Sequence, residues 1–146
     1  GSIRGALHFK SLCNKAVCVV SLFCCSSYAS ECYIGGFSAN EMRLANYYHS
    51  QAATSFNVAC DRNYSISFRS QNLLNAGGAS FVSNGPYRLR TQLNIRGASE
   101  NLWGVQMNQQ GGGNQKFIIS AQLQENPLYS VPAGVYRDRI YVNVDF

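Results

Sequence analysis

The clearest hydrophobic pattern lies in residues 131–146. A turn signal, Pro-Ala-Gly at 132–134, precedes apolar residues at alternate positions, namely Ile140, Val142, Val144 and Phe146. Successive side chains of a strand point to opposite faces, so this period of two predicts a half-buried β-strand. Since the sequence ends on Phe146, we expect the strand's neighbour to come from elsewhere in the chain or from another molecule, because an exposed strand edge is a template for strand addition.

Similar alternation predicts strands in the middle of the chain. The apolar positions between 55 and 69 are all even-numbered, so one long bent strand could hold them on one face. They are Phe56, Val58, Cys60, Tyr64, Ile66 and Phe68. A weaker strand is predicted at 80–82 and a further one within 116–124, while 40–48 is compatible with a helical turn or a loop. Six or seven short strands at this spacing predict an all-β, immunoglobulin-like β-sandwich.

The most amphipathic strand is predicted at 87–96. Its apolar residues occupy the odd positions, and Arg88, Arg90 and Arg96 lie on the opposite face. This arginine row is a candidate site for an anionic surface polymer. The alternative is a solvated strand face whose charges discourage edge-to-edge pairing.

Three aromatic residues are further candidates for surface binding. Tyr47 and Tyr48 lie in the segment without a clear period, and Trp103 lies in Leu-Trp-Gly at 102–104. In a binding module these rings would contact ligand. The alternative for Trp103 is a buried aromatic corner.

Residues 1–29 have the organisation of a secretory signal peptide. Lys10 and Lys15 precede an apolar run at 16–25, and small residues follow, with a cut expected between Ala29 and Ser30. An apolar run of ten residues is too short to span a bilayer. The sequence therefore predicts an exported domain at 30–146.

Cleavage would leave two cysteines, Cys32 and Cys60. Two cysteines in an oxidising compartment predict one disulfide, with two buried free thiols as the alternative. Closing the loop would stabilise the fold by about 3.6 kcal/mol in the chain-entropy treatment. No metal site is predicted, because His49 would be the single remaining histidine and no Cys-x-x-Cys pair would remain.

The charge of the chain is concentrated in the leader. The net charge is +5, and Arg4, Lys10 and Lys15 contribute +3 of it, so residues 31–146 carry nine basic and seven acidic residues, or +2. A charge of +2 is a weak electrostatic footprint for DNA or RNA. We therefore predict no nucleic-acid partner.

Catalytic groups are scarce in the predicted domain. A nucleophile–histidine site would have to be built around His49, and no local spacing brings two carboxylates together. The glycines at 111–113 are not followed by the Lys-Ser/Thr pair of a phosphate-binding loop. The sequence thus predicts no enzyme, no catalytic residue, no cofactor and no small-molecule substrate.

Several segments together resemble the spore coat protein U domain, the fold of archaic, Csu-type chaperone–usher pilin subunits. They are Cys32 after the leader, FNVAC at 56–60, NYSISF at 63–68, Tyr-x-Leu at 87–89, LWG at 102–104 and PAGVYRDRIYVNVDF at 132–146. The last segment is similar to the family's Pro-Ala-Gly-x-Tyr-x-Asp ending, which closes on an aromatic residue.

This resemblance implies an immunoglobulin-like domain that lacks its final strand and carries a Cys32–Cys60 disulfide. It further implies export, capture by a periplasmic chaperone, and assembly with neighbouring pilus subunits through an outer-membrane usher, for attachment and biofilm formation at the cell surface. Ile140, Val142, Val144 and Phe146 would line the groove for chaperone or donor strand. Four inserted apolar side chains would contribute about 6 to 12 kcal/mol.

One departure from the family concerns the donor strand. Only Ser30 and Glu31 lie between the expected cut and Cys32, so the exported domain would accept a strand and have none to donate. This predicts a tip or terminal position. Residues 3–9 are a candidate donor within the uncut chain, although another molecule is the preferred source. The alternative functions are a free-standing secreted adhesin or lectin-like module and a spore-coat component.

Overall fold

A computed structural model describes the backbone of residues 2–9 and all atoms of 32–39, 41–127 and 131–146. The apolar run of the predicted leader and its cleavage site lie outside these ranges. The described part forms ten strands, and none of its residues belongs to a helix long and apolar enough to cross a membrane. The strands are β1 (Ser2–Phe9), β2 (Cys32–Gly35), β3 (Glu41–Met42), β4 (Gln51–Cys60), β5 (Tyr64–Ser70), β6 (Ala79–Asn84), β7 (Tyr87–Arg96), β8 (Met107–Gln109), β9 (Gly113–Leu123) and β10 (Arg139–Asp145).

The strands form two five-stranded sheets. The first has the order β3-β1-β10-β5-β8, and the second has the order β2-β4-β9-β7-β6. Aromatic rings join the facing sides: the Phe68 ring of the first sheet lies 6.2 Å from Phe56 and 5.9 Å from Phe117 of the second, between ring centroids. The predicted all-β sandwich is confirmed.

The chain crosses from one sheet to the other between β4 and β5. The sequence left open one long bent strand here, but a turn at 61–63 separates two strands that belong to different sheets. The turn is held by Asn63, whose Oδ1 accepts a hydrogen bond from Gly111 N at 3.0 Å. The six even-numbered apolar side chains are nevertheless all buried, since both strands face the common core.

A disulfide joins the first two strands of the second sheet. Cys32 and Cys60 are register partners in the antiparallel pair β2/β4 and are bonded to each other. Both cysteines are buried. The predicted disulfide is confirmed, and it ties the short edge strand β2 to the ten-residue strand β4.

Candidate functional site

Strand β10 has one solvent-facing side and one buried side, as its alternation predicts. The side chains of Ile140, Val142 and Val144 are at most 2% exposed, and Phe146 packs against the core from a half-buried position. Tyr141, on the other face, is 39% exposed. Six register pairs join β10 to β5 in antiparallel orientation. Three of the four residues predicted to line a groove therefore lie on the core side of β10, which is paired with β5 along one edge, and Phe146 directly follows the strand.

The other edge of β10 is paired with residues from the opposite end of the chain. Strand β1 runs antiparallel to β10 through seven register pairs, from Ser2 with Asp145 to His8 with Arg139. Within this ladder Ile3 and Leu7 lie opposite Val144 and Ile140. Of the two sources left open from the sequence, another molecule was preferred, but in this structure the neighbour is the chain's own segment ahead of the predicted cleavage site, which includes the candidate donor at residues 3–9.

Strand β1 has few other backbone partners. Its second edge pairs in parallel with β3, and only at His8 with Glu41 and Phe9 with Met42. From Ser2 to Leu7 the described strand is thus joined to the sheet along the β10 edge alone.

The start of β10 is anchored by a buried carboxylate that the sequence analysis did not single out. Asp138 is 4% exposed. Its Oδ1 accepts hydrogen bonds from the backbone N–H groups of Asn72 at 3.1 Å and Arg139 at 2.8 Å, and its Oδ2 accepts one from Ser80 Oγ at 2.9 Å. Burial raises the pKa of the Asp138 carboxyl, although these hydrogen bonds and one from Ser70 act in the opposite direction.

The anchor joins the two sheets. Ser70 ends β5 in the first sheet and Ser80 lies on β6 in the second, and their hydroxyl oxygens are 2.8 Å apart beside Asp138. Next to them, Arg137 and Ser83 exchange two backbone hydrogen bonds of 2.9 Å. The chain therefore enters β10 from a point that is tied to both sheets.

The turn before the anchor is also fixed from within. Tyr136 is 4% exposed, and its hydroxyl donates a hydrogen bond of 2.7 Å to the carbonyl of Pro132. The contacts of the Pro-Ala-Gly-x-Tyr-x-Asp segment thus fix the position at which β10 begins. One sequence signal was available: positions 136 and 138 continue the even-numbered, inward parity of Ile140 and Val142.

The candidate surface-binding residues do not form one group. Trp103 is 1% exposed, with its ring edge-on to Phe68 at 5.9 Å, so its assignment to a binding surface is corrected to the buried aromatic corner. Tyr47 and Tyr48 are 59% and 49% exposed in the loop between β3 and β4, where the Tyr48 ring stacks on His49.

The three arginines lie on the outer face of β7. Arg88 covers the Phe81 ring at 4.5 Å, and the Nε of Arg90 is 3.5 Å from a carboxylate oxygen of Glu125. Arg96 is exposed and takes part in none of the ion pairs of the described residues. This face belongs to the second sheet, whereas β10 belongs to the first. Among the residues with described side chains, no three His, Cys, Asp or Glu residues form a cluster that could hold a metal ion.

Comparisons with known proteins give low similarity. No protein-family model matches the chain, and no curated protein matches it. Among solved structures, it is similar to a Burkholderia pseudomallei antigen and type I fimbria protein, with a TM-score of 0.40 and 12% identity over 100% of this chain and 97% of the other. It is also similar to AggB, the minor subunit of aggregative adherence fimbriae type I from Escherichia coli, with a TM-score of 0.32 and 19% identity over 73% and 77%. A chain of a chaperone–tip adhesin complex of CFA/I fimbriae gives a TM-score of 0.27 and 12% identity over 79% and 35%.

Proposed function

We propose that the exported chain is a non-enzymatic subunit of a surface fibre assembled by the chaperone–usher pathway, and that it accepts a partner's strand along β10. The supporting observation is the ladder between β10 and Ser2–Phe9, because the residues that pair with β10 lie ahead of the cleavage site expected between Ala29 and Ser30. Cleavage there would remove β1 and leave one edge of β10 without a neighbour.

The loss would be costly for the exported domain. Seven register pairs of β10 would disappear, and Ile140, Val142 and Val144 would border an empty strand position. Unpaired backbone groups and uncovered apolar side chains both destabilise a sheet. An extended segment from a chaperone or from a neighbouring subunit, entering at the β1 position, would restore both kinds of contact.

The proposed partners follow from this need and from the resemblance to the spore coat protein U domain. A periplasmic chaperone would cover the β10 edge after export, an outer-membrane usher would assemble the subunits, and a neighbouring subunit would supply the final strand at the cell surface. Because only Ser30 and Glu31 precede Cys32 after the cut, we place the subunit at the tip or another terminal position of a fibre that serves attachment and biofilm formation.

The test compares three versions of the exported domain in urea melts and size exclusion. The first is residues 30–146 alone. The second continues from Phe146 through a short turn into Ser2–Phe9, which suits the observed register because Ser2 lies opposite Asp145 in an antiparallel pair. The third carries a Gly-Ser segment of equal length in place of Ser2–Phe9. All three keep the Cys32–Cys60 disulfide.

We expect residues 30–146 to aggregate or to melt without a cooperative transition, and the version with the appended strand to be a monomer with a steep transition. The Gly-Ser version should behave like the unmodified domain, because a flexible segment supplies little β-propensity. A stable, cooperative monomer from residues 30–146 alone would refute the proposal and would favour a free-standing binding module. A chaperone of this pathway should rescue the unmodified domain as the appended strand does.

A further inference from the structure

The outer face of the second sheet contains a polar depression in the middle of three long strands. The pairing of β4, β9 and β7 aligns three rows across the sheet, and the central row has the small residues Ala53 and Ser120 on two of its strands. The rows are Gln51, Gln122 and Gln92, then Ala53, Ser120 and Asn94, then Ser55, Ile118 and Arg96. The resulting depression has a volume of about 360 Å³ and includes Asn101 from the loop after β7.

Two hydrogen bonds orient the side-chain amide of Asn94 so that its N–H groups remain available. Asn101 Oδ1 accepts a hydrogen bond from the backbone N–H of Ile95 at 2.9 Å, which fixes the orientation of the Asn101 side chain. Its Nδ2 then donates to Asn94 Oδ1 at 3.0 Å. The acceptor of Asn94 is therefore occupied, and its Nδ2 group remains available to a ligand.

A second amide is oriented in the same sense. Gln122 Oε1 accepts a hydrogen bond from Gln124 Nε2 at 3.2 Å, so Gln122 also offers its N–H groups. At the edge of the depression, the exposed Arg96 adds a guanidinium that no described ion pair neutralises. No acidic residue is among those that line the depression.

We propose that this depression binds an acidic polysaccharide. A carboxylate on a sugar ring would accept hydrogen bonds from Arg96, as the planar guanidinium matches a carboxylate, and the ring's hydroxyl oxygens would accept from Asn94 and Gln122. Strands lie about 4.8 Å apart, so the three strands span a width that suits one polysaccharide chain. The described lining has no aromatic ring on which a base could stack, which disfavours single-stranded nucleic acid.

The same strand would extend the site for a longer polymer. Arg88 and Arg90 lie on the same face of β7 as Arg96, and six residues of strand separate Arg90 from Arg96 by about 20 Å. Arg90 already has Glu125 beside it, so it is partly neutralised. We therefore expect Arg96 to be the dominant contact for a short oligosaccharide, and the other two arginines to matter only for polymers.

The test measures binding of a labelled galacturonic acid pentasaccharide to the full chain, with the fully methyl-esterified pentasaccharide as the neutral counterpart. The wild type should prefer the acid form. Arg96→Gln should weaken binding about tenfold, since a charge-assisted hydrogen bond to an exposed group lies near the low end of its range. Ser120→Leu should remove binding by filling the floor of the depression. Arg69→Gln is the matched control, because Arg69 is an exposed strand arginine on the first sheet.

Arg96→Gln and Arg69→Gln should both melt as the wild type does, because both side chains are exposed. The proposal is overturned if the wild type does not bind the acid pentasaccharide, if the two arginine variants weaken binding equally, or if a single-stranded DNA oligomer binds as tightly with the same dependence on Arg96. None of these results bears on strand acceptance at β10, which lies on the other sheet and is tested by the urea melts of the exported domain.

Discussion

Replacing Asp138 by alanine should destabilise the fold strongly, although the residue lies outside the apolar core cluster. The substitution removes the acceptor of two backbone N–H groups, from Asn72 and Arg139, and of the Ser80 hydroxyl. A buried donor that loses its acceptor costs about 1 to 3 kcal/mol. Asn72 is half-buried and Arg139 is exposed, so water can reach part of this site and the low end of the range applies. Ser70 also bonds to Asp138, but one of the two serine hydroxyls can still donate to the other, so three donors lose their acceptor. Three donors then give a loss of about 3 kcal/mol in the free energy of unfolding.

Asparagine at the same position distinguishes the hydrogen bonds from the shape. In Asp138→Asn the remaining Oδ1 can still accept from both N–H groups, and Nδ2 can donate to Ser80 Oγ, because the Ser80 hydroxyl can rotate to donate to Ser70 Oγ. We therefore expect Asp138→Asn to lose less than about 1 kcal/mol. Asp61→Ala is the surface control, since Asp61 is exposed and its ion pair with Arg62 is 3.9 Å long. It should stay within about 0.5 kcal/mol of the wild type.

The assay is a urea melt of the full chain followed by tryptophan fluorescence. The chain has a single tryptophan, Trp103, and that ring is buried against Phe68, so its emission reports the opening of the core directly. The reasoning is refuted if Asp138→Ala loses less than about 1 kcal/mol, or if Asp138→Asn loses as much as Asp138→Ala. The slope of the transition should be unchanged among the variants, because each exposes the same surface on unfolding.

Three further predictions use the same melts. Burial raises the pKa of the Asp138 carboxyl, so the folded state binds its proton more tightly than the unfolded state does. The free energy of unfolding of the wild type, minus that of Asp138→Asn, should therefore fall as the pH rises from about 3.9 to the raised pKa. A difference that rises with pH would contradict this. Replacing Cys32 and Cys60 by serine should cost about 3.6 kcal/mol, and a loss below about 1 kcal/mol would contradict the entropic account. Gly97→Ala should cost more than Gly85→Ala: both have positive φ, 99° and 60°, but a Cβ at Gly97 would overlap a backbone carbonyl whereas one at Gly85 meets nothing within 4 Å. Equal losses at the two glycines would show that the overlap is relieved without cost.

Alternation along the chain predicted which apolar residues of the main strands are buried, but not which strands are neighbours. Period two fixes the face of Phe56 and of Phe68, because a strand has only two faces. It does not say that the first belongs to one sheet and the second to the other, since both sheets turn their apolar faces to the same core. The pairing of β1 with β10 joins the two ends of the chain, and residues 3–9 were only the less favoured candidate for it, because alternation within a segment does not identify its partner.

Two buried residues, one polar and one aromatic, could not be assigned from the sequence alone. Asp138 was given no role from the sequence, and Trp103 was left between a surface-binding ring and a buried aromatic corner. An aspartate at an inward parity is interpretable only when its donors are known, and two donors to Asp138, Asn72 N and Ser80 Oγ, come from residues 66 and 58 positions earlier. Trp103 follows no alternating run, so its burial depends on the fold around Phe68.

Strand β10 is held in place by two sets of contacts, and these contacts bear on strand acceptance. Its first residues follow the Asp138 anchor, which is bonded to both sheets, and from Ile140 to Asp145 it is paired with β5. Neither set of contacts involves β1. Removal of β1 would therefore leave β10 in place on the β5 side. An incoming strand would pair with a preformed edge, so little conformational entropy of β10 would be lost on binding.

The Asp138 anchor lies outside the β1 ladder, so its loss should destabilise the fold whether or not the β1 position is filled. An appended Ser2–Phe9 strand, in contrast, should stabilise the exported domain only through β10. The two effects should accordingly add in a double-variant measurement, and a strong departure from additivity would mean that the anchor and the β1 edge are coupled.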